Sequence, residues 1–201
     1  MFLALALLAS LPAAAQPLKV LALGDSLTAG YGLPPGQGFA PQLERALKEH
    51  GVEAQVIDAG VSGDTSAGGL ARLDWALADA PDLVILELGA NDMLRGVDPA
   101  ETRANLDAML ARLRDAGPRV LLAGMRAAPN LGPDYGGAFE AIYADLAEKY
   151  GVPLYPFFLE GVATDPKLNL PDGLHPNEAG VQEIVRRILP HVLAAAGVPR
   201  S

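Results

Sequence analysis

The sequence contains no cysteine, which excludes disulfide bonds and any catalytic thiol. It also lacks clusters of basic side chains: its densest basic site is the pair Arg186 and Arg187, and the formal net charge is −9. Nucleic-acid binding needs grouped Lys and Arg side chains that displace counterions from the phosphates, so we expect no nucleic-acid partner. Half of the residues are apolar and 19% are charged, which is typical of a globular protein.

Long apolar runs are scarce as well. The most apolar stretch, from Phe2 to Leu11, is shorter than the about 20 residues that a membrane-spanning helix needs, so we expect no stable membrane insertion. Small residues at 13–15 precede Gln16 in the pattern of a signal-peptidase site. We therefore predict a signal peptide over residues 1–15, one mature domain over residues 16–201, and export to the periplasm or the medium. No Lys or Arg precedes the apolar run, and a buried N-terminal helix is the alternative interpretation.

From Leu18 onward, short apolar runs alternate with stretches of helical period. The strand candidates are short and largely apolar, and they comprise residues 18–23, 54–58, 83–88, 119–124 and 152–155. Strict alternation of strands and helices predicts a three-layer α/β/α domain with a five-stranded parallel sheet and right-handed crossovers. Pro153 cannot donate a hydrogen bond to a neighbouring strand, so we expect the fifth strand at an edge of the sheet.

Five helices are predicted between and after these strands, each with apolar residues spaced three or four positions apart. Their apolar faces include Leu43, Leu73, Leu110, Ile142 and Ile184. Asp98 followed by Pro99 is typical of a helix start, with an N-cap and a proline at the first helical position. Pro190 is expected to break or kink the last helix.

In parallel sheets of this kind, ligands bind beside the carboxyl ends of the strands, so the loops after the strands are where chemistry is expected. The first loop reads Gly24-Asp25-Ser26. A serine at this position can present its hydroxyl at the top of the sheet, with its N–H pointing the same way. The alternative is that Ser26 is an ordinary turn or N-cap residue.

The second and third loops carry possible hydrogen-bond donors. Gly63 has no Cβ, so its backbone N–H could approach a bound oxygen; alternatively it turns the chain while Asp64 or Thr65 caps the next helix. The side-chain amide of Asn91 could donate to a developing oxyanion, or it could form a local Asx turn. We interpret Asp92 as a structural anchor rather than a catalyst.

A fourth loop, before the last helix, contains Asp172 and His175. Asp172 can fold back to hold one imidazole nitrogen while the other nitrogen faces Ser26, which is the arrangement of orienter, base and nucleophile in hydrolytic triads. Alternatively, the His-Pro pair merely starts the last helix. His50 and His191 lie in or beside amphipathic helices and are interpreted as surface or helix-end residues. Each loop alone is ambiguous, but the four together supply every part of an acyl-transfer site.

With these four blocks in this order, the sequence resembles the SGNH (GDSL) hydrolases. The likeness runs from the first strand to the last helix and is closest to the periplasmic thioesterase, arylesterase and lysophospholipase branch. By resemblance, Ser26 is the nucleophile and the first oxyanion-hole donor, His175 is the base, and Asp172 orients it. Gly63 and Asn91 complete the oxyanion hole by the same resemblance.

The resemblance implies a flavodoxin-like SGNH hydrolase fold and a serine esterase acting on carboxylic esters or thioesters, with lysophospholipids among the candidate substrates. It implies no metal and no cofactor, and we expect a monomer. The irregular segments 126–137 and 157–170 are expected to shape an apolar acyl pocket. The alternatives are an α/β-hydrolase, whose nucleophile lies in G-x-S-x-G well inside the chain, a non-catalytic flavodoxin-like binding module, and a non-catalytic scaffold protein.

Overall fold

The computed structural model describes residues 16–198, so the predicted signal peptide over residues 1–15 lies outside the described part. The strands are β1 (Leu18–Gly24), β2 (Ala54–Gly60), β3 (Leu83–Glu87), β4 (Arg119–Ala123) and β5 (Leu154–Tyr155). They form one five-stranded sheet in the order β2-β1-β3-β4-β5, and every pairing is parallel. The predicted parallel sheet is confirmed.

The composition of each strand agrees with its place in the sheet. Every residue of β3 is buried, as is most of β1, because helices cover both faces of the sheet at its centre. Strand β5 pairs only with β4 and lies at the edge, as Pro153 predicts. It is shorter than predicted: the Pro153 carbonyl accepts from the Leu122 N–H at 3.0 Å, but the ladder begins only at Leu154.

Seven α-helices surround the sheet within the described residues 16–198. They are α1 (Ser26–Ala29), α2 (Phe39–Glu49), α3 (Ser66–Ala76), α4 (Ala90–Leu94), α5 (Pro99–Ala116), α6 (Pro133–Tyr150) and α7 (Glu178–Ala195). Helices α2 and α7 contact each other, and α5 contacts both α3 and α6, so two separate groups of helices cover the sheet. The predicted N-cap of α5 is confirmed, since the Asp98 carboxylate accepts from the Ala100 N–H at 2.8 Å.

Helix α7 runs through Pro190 to Ala195, so Pro190 does not break it, and the alternative that it kinks the helix stays a prediction. Pro190 and Arg186 are both exposed, and the Arg186 carbonyl that loses its N–H partner is accessible to hydration on that side. Ile188 and Val192 are buried on the opposite face, and their packing holds the helix together across the missing hydrogen bond.

The sheet order brings three loops to one place. All strands run in the same direction, so their carboxyl ends meet at one edge of the sheet, and β1 lies between β2 and β3. The loops after these three strands are therefore neighbours, at the point where the strand order reverses. Within residues 16–198, none of the helices combines the length and the hydrophobicity that a membrane crossing would need.

Candidate active site

Ser26 is the first residue of α1 and follows the end of β1 by two positions. It is not the N-cap of that helix: the Asp25 carboxylate takes this role by accepting from the Leu27 N–H at 2.9 Å. The interpretation of Ser26 as a capping residue is therefore wrong, and its hydroxyl is free for another partner. Gly24 is required for this turn, because a Cβ there would lie 2.1 Å from the Thr28 Oγ1.

A continuous chain of hydrogen bonds links Ser26 to the loop before α7. The Ser26 Oγ lies 2.9 Å from Nε2 of His175, and Nδ1 of the same ring lies 2.7 Å from Oδ2 of Asp172. Helix α7 begins only at Glu178 and is capped by Asn177, so His175 does not start the helix. The structure thus brings together the three residues that the sequence assigns to nucleophile, base and orienter.

The carboxylate of Asp172 also accepts hydrogen bonds from the backbone of its own loop. Its Oδ1 accepts from the backbone N–H groups of Leu174 and His175, at 2.9 and 3.0 Å. These two backbone hydrogen bonds, led by that of His175, together with the bond to the imidazole, lower the pKa of Asp172 to about 2. The side chain is therefore an anion near neutral pH, and each oxygen has a fixed partner.

Tyr31 covers the imidazole, a contact that could not be predicted from the sequence. Its ring centroid lies 4.5 Å from that of His175, with the two rings tilted by 36°. The tyrosine is itself 52% exposed, so it stands between the imidazole and solvent at the rim of the site. A turn that follows α1 places it there.

Asn91, in α4, reaches across to the loops after β1 and β2. Its Nδ2 donates to Oδ2 of Asp25 and to the carbonyl oxygen of Asp64, both at 2.9 Å. These partners are distant in sequence, so the alternative of a local Asx turn is wrong. Both amide hydrogens are engaged in this state, and donation to an oxyanion would require one of them to be shared or released.

Two backbone N–H groups beside this amide are available to a ligand. Among residues 16–198, neither the Ser26 N–H nor the Gly63 N–H donates to a protein acceptor. The following peptide group is held in place, because the Arg95 guanidinium donates to the Gly63 carbonyl oxygen at 2.7 Å. Gly63 has φ +87°, a conformation that favours glycine. Thr65 caps α3 by accepting from the Gly68 N–H, as one reading of the sequence predicted.

Asp92 is the structural anchor that the sequence analysis expected. It is buried and accepts from both the N–H and the Oγ of Ser66, at 2.7 and 2.5 Å, and from Thr102 at 3.2 Å. These bonds tie α4 to the start of α3 and to α5. They fix the helix that carries Asn91.

A pair of buried carboxyl groups lies beneath the nucleophile. Glu87, at the end of β3, accepts from Thr28 Oγ1 at 2.8 Å and from the Asp25 N–H at 3.4 Å. Its Oε1 has no hydrogen-bond partner within the described part of the chain. Burial, reinforced by the charge of Asp25, raises the pKa of Glu87 well above its usual value, and burial likewise raises the pKa of Asp25 to about 6. The sequence analysis missed Glu87, although an acidic residue closing an apolar strand was a visible signal.

An apolar cavity of about 360 Å³ opens beside Ser26, Asn91 and His175. Its apolar wall includes Leu27, Met93, Leu94, Met125, Ala127, Ala128, Pro129, Phe157, Leu159, Ala163 and Leu174. Both segments that the sequence assigned to the acyl pocket therefore contribute to it. The first is less irregular than predicted, since α6 already begins at Pro133. Among residues 16–198, no three side chains of metal-ligand type are grouped together.

Comparison with known proteins agrees with this geometry. The model of the GDSL-like lipase/acylhydrolase family matches residues 22–183. The chain belongs to this family. It is similar to an arylesterase of Vibrio mimicus, with 44% identity over 196 residues that cover 92% of this chain and 98% of the relative. It is also similar to thioesterase 1/protease 1/lysophospholipase L1 of Escherichia coli K12, with 42% identity over 177 residues that cover 88% of this chain and 83% of the relative.

The fold has solved counterparts in the same family. The crystal structure of AlinE4, an SGNH-hydrolase family esterase, superposes with a TM-score of 0.77 at 48% identity, covering 94% of this chain and all of the other. The resemblance stated from the four sequence blocks is confirmed, and so is the SGNH hydrolase fold. This family member is a carboxylic ester hydrolase, and the alternatives of a non-catalytic binding module and a scaffold protein are set aside.

Proposed function

We propose that this hydrolase is a serine esterase in which Ser26, His175 and Asp172 form the catalytic triad. The observation that carries the proposal is the unbroken chain of hydrogen bonds from the Asp172 carboxylate through the imidazole to the Ser26 hydroxyl, beside an apolar cavity. A hydroxyl is a weak nucleophile until a positioned base removes its proton, and a base acts reliably only when a third group fixes its tautomer.

The geometry supports a two-step acyl transfer. Ser26 attacks the carbonyl carbon of an ester or thioester while His175 takes the hydroxyl proton. The tetrahedral oxyanion is stabilised by the N–H groups of Ser26 and Gly63, which the protein leaves free, and by the amide of Asn91. His175 then protonates the leaving alcohol or thiol, and water, activated by the same imidazole, releases the acid from Ser26.

The cavity favours substrates with an apolar acyl or aryl group. Its wall is built from Leu, Met, Ala, Pro and Phe side chains, with Arg126 at its edge. The named relatives are an arylesterase and a thioesterase/lysophospholipase, so aryl esters, acyl thioesters and lysophospholipids are the classes that we propose. The test is a hydrolysis screen of the purified protein on p-nitrophenyl esters, acyl-CoA thioesters and lysophospholipids, each with short, medium and long acyl chains. If the protein cleaves none of these substrates, the proposal is overturned.

The oxyanion role of Asn91 can be tested separately. Asn91→Ala should lower kcat by about 10²–10³-fold, the usual loss for one oxyanion-hole donor, with a smaller effect on KM. The physical reason is that the amide is worth most when the oxygen carries a full charge, which happens only in the transition state. Steady-state kinetics on one good substrate measure both constants. A variant that changes only KM would show that Asn91 contacts the substrate but not the transition state.

We also propose that the protein is exported, with cleavage before Gln16. The support is the apolar run followed by small residues at positions 13–15. N-terminal sequencing of the protein from the native cell envelope should find Gln16 first. An intact Met1 on protein from the cytoplasm would contradict export.

A further inference from the structure

Arg72, in α3, is half-buried beneath the loops that form the site. Its Nε donates to Oδ2 of Asp64 at 2.6 Å, its Nη1 to the Ala59 carbonyl at 2.8 Å and its Nη2 to the Gly24 carbonyl at 2.8 Å. The side chains of Arg72 and Asp64 are only 18% and 19% exposed. Each of the three guanidinium nitrogens thus has one partner, and the three partners belong to different segments.

Each partner belongs to a segment that carries part of the site. The Gly24 carbonyl ends β1, immediately before Asp25 and Ser26, and Ala59 lies in β2, before the loop with Gly63. The planar guanidinium offers donors in fixed directions, which a flexible ammonium group does not, so this three-way contact is specific to arginine. The backbone pairing of β1 with β2 already places Gly24 opposite Gly60. Arg72 adds a side-chain link that ties the ends of both strands to Asp64 in the second loop.

The contact with Asp64 extends to the proposed oxyanion donors. The backbone carbonyl of Asp64 accepts from the Asn91 amide at 2.9 Å. Asp64 is also the residue that directly follows Gly63 in the sequence. The Asp64 carboxylate lies close against α3, and Gly68 makes room for it, because a Cβ on that glycine would lie 2.7 Å from Oδ1 of Asp64. A shift of Asp64 would displace both the Gly63 N–H and the partner that orients Asn91.

We propose that Arg72 is a positioning residue for the oxyanion site: through Asp64 it sets the places of the Gly63 N–H and the Asn91 amide relative to Ser26. It lies behind the loops and does not line the cavity. This inference rests on the proposed function, because it assigns Arg72 to the geometry of the same reaction. Its effect should therefore fall on the transition state and not on substrate binding.

Arg72→Met should lower kcat by about 10²-fold, the effect of misplacing one oxyanion donor, and leave KM within about twofold. Arg72→Lys should fall between this variant and the wild type, because lysine keeps the ion pair with Asp64 but cannot reach both carbonyls. Arg103→Met is the matched control: this arginine is exposed and pairs with Asp145 on the outer surface of α5 and α6. The control should keep the wild-type kcat.

A positioning role can be told apart from a merely structural one by expressing kcat per active site. The number of active sites is titrated with an organophosphonate that labels Ser26. If Arg72 only stabilised the fold, its variants would lose titratable sites and melting temperature, but each remaining site would turn over normally. A wild-type kcat per titrated site in Arg72→Met would overturn the proposal. If that variant does not fold, Arg72→Lys and Asp64→Asn provide the same measurement.

A double-mutant cycle with Asn91→Ala tests the route of the effect. If Arg72 acts through the donors, the combined variant should lose much less than the product of the two single losses. Losses that multiply would show that Arg72 acts elsewhere. Full activity of Asn91→Ala on its own, or of Ser26→Ala, would instead refute the proposed function. Failure of the inference about Arg72 can therefore be distinguished from failure of the proposed function.

Discussion

Ser26→Ala is expected to lower kcat by about 10⁶-fold, the order of loss that follows removal of the nucleophile from a serine hydrolase triad. The fold should remain intact. Helix α1 is capped by the Asp25 carboxylate and not by the serine, so the substitution removes one hydroxyl and no structural hydrogen bond other than that to His175. The loss should therefore appear in kcat, with an unchanged melting temperature.

The measurement combines kinetics with covalent labelling. An organophosphonate should modify the wild-type protein once, on the peptide that contains Ser26, and should leave Ser26→Ala unmodified. Ser62→Ala is the matched control, because Ser62 is an exposed serine of the neighbouring loop. Labelling of any other residue, or turnover of Ser26→Ala near the wild-type rate, would remove Ser26 from the role of nucleophile.

Asp172→Asn is expected to lower kcat by about 10⁴-fold through a change of histidine tautomer. In the wild type, one carboxylate oxygen accepts from the N–H groups of Leu174 and His175, and the other accepts from Nδ1 of the imidazole. In the variant, the amide oxygen satisfies the two backbone donors, so the NH₂ group is forced to face Nδ1. The imidazole must then carry its proton on Nε2, pointing at Ser26, where it cannot act as a base.

A second aspartate that caps a turn, Asp165, provides a control for the loss of such a turn contact alone. Asp165 caps its own turn by accepting from the Lys167 N–H at 2.9 Å and has no contact with the imidazole, so Asp165→Asn should keep nearly full activity. Because the pKa of Asp172 is about 2, activity lost on acidification above about pH 4 should not come from this carboxylate. A loss of only a few-fold in Asp172→Asn would demote Asp172 to a loop cap and leave a Ser–His pair.

The layout of the fold could be predicted from the sequence because most of its strands and helices have a recognisable local pattern of apolar residues. Alternating apolar runs and helical periods identified the five strands and five of the seven helices, and Pro153 placed β5 at the edge. The two helices that were missed, α1 and α4, are single turns held by contacts with other loops, so no periodic pattern marks them. Helix α7 continues through Pro190 because tertiary packing on one face of the helix outweighs the missing hydrogen bond.

The candidate site could be predicted only from the combination of its loops, since each loop alone has an ordinary structural explanation. Ser26, Gly63 and Asn91 after successive strands, and Asp172 with His175 before the last helix, were recognisable together as parts of one reaction. Tyr31, Arg72 and Glu87 were not, since each acts through contacts with distant segments that a linear pattern does not encode. Arg72 in particular looks like an ordinary surface residue of an amphipathic helix until the strand ends are placed beside it.

The buried carboxyl pair under the nucleophile makes folding a proton-binding reaction. The folded protein holds protons on Asp25 and Glu87 at pH values where the unfolded chain, with ordinary carboxyl pKa values of about 4, has released them. The folded state therefore binds more protons in this window, and the contribution of the pair to stability declines as the pH rises from about 4 through 6 and beyond. Unfolding free energies measured across this range should show less decline in Glu87→Gln than in the wild type, and equal slopes would disprove the linkage.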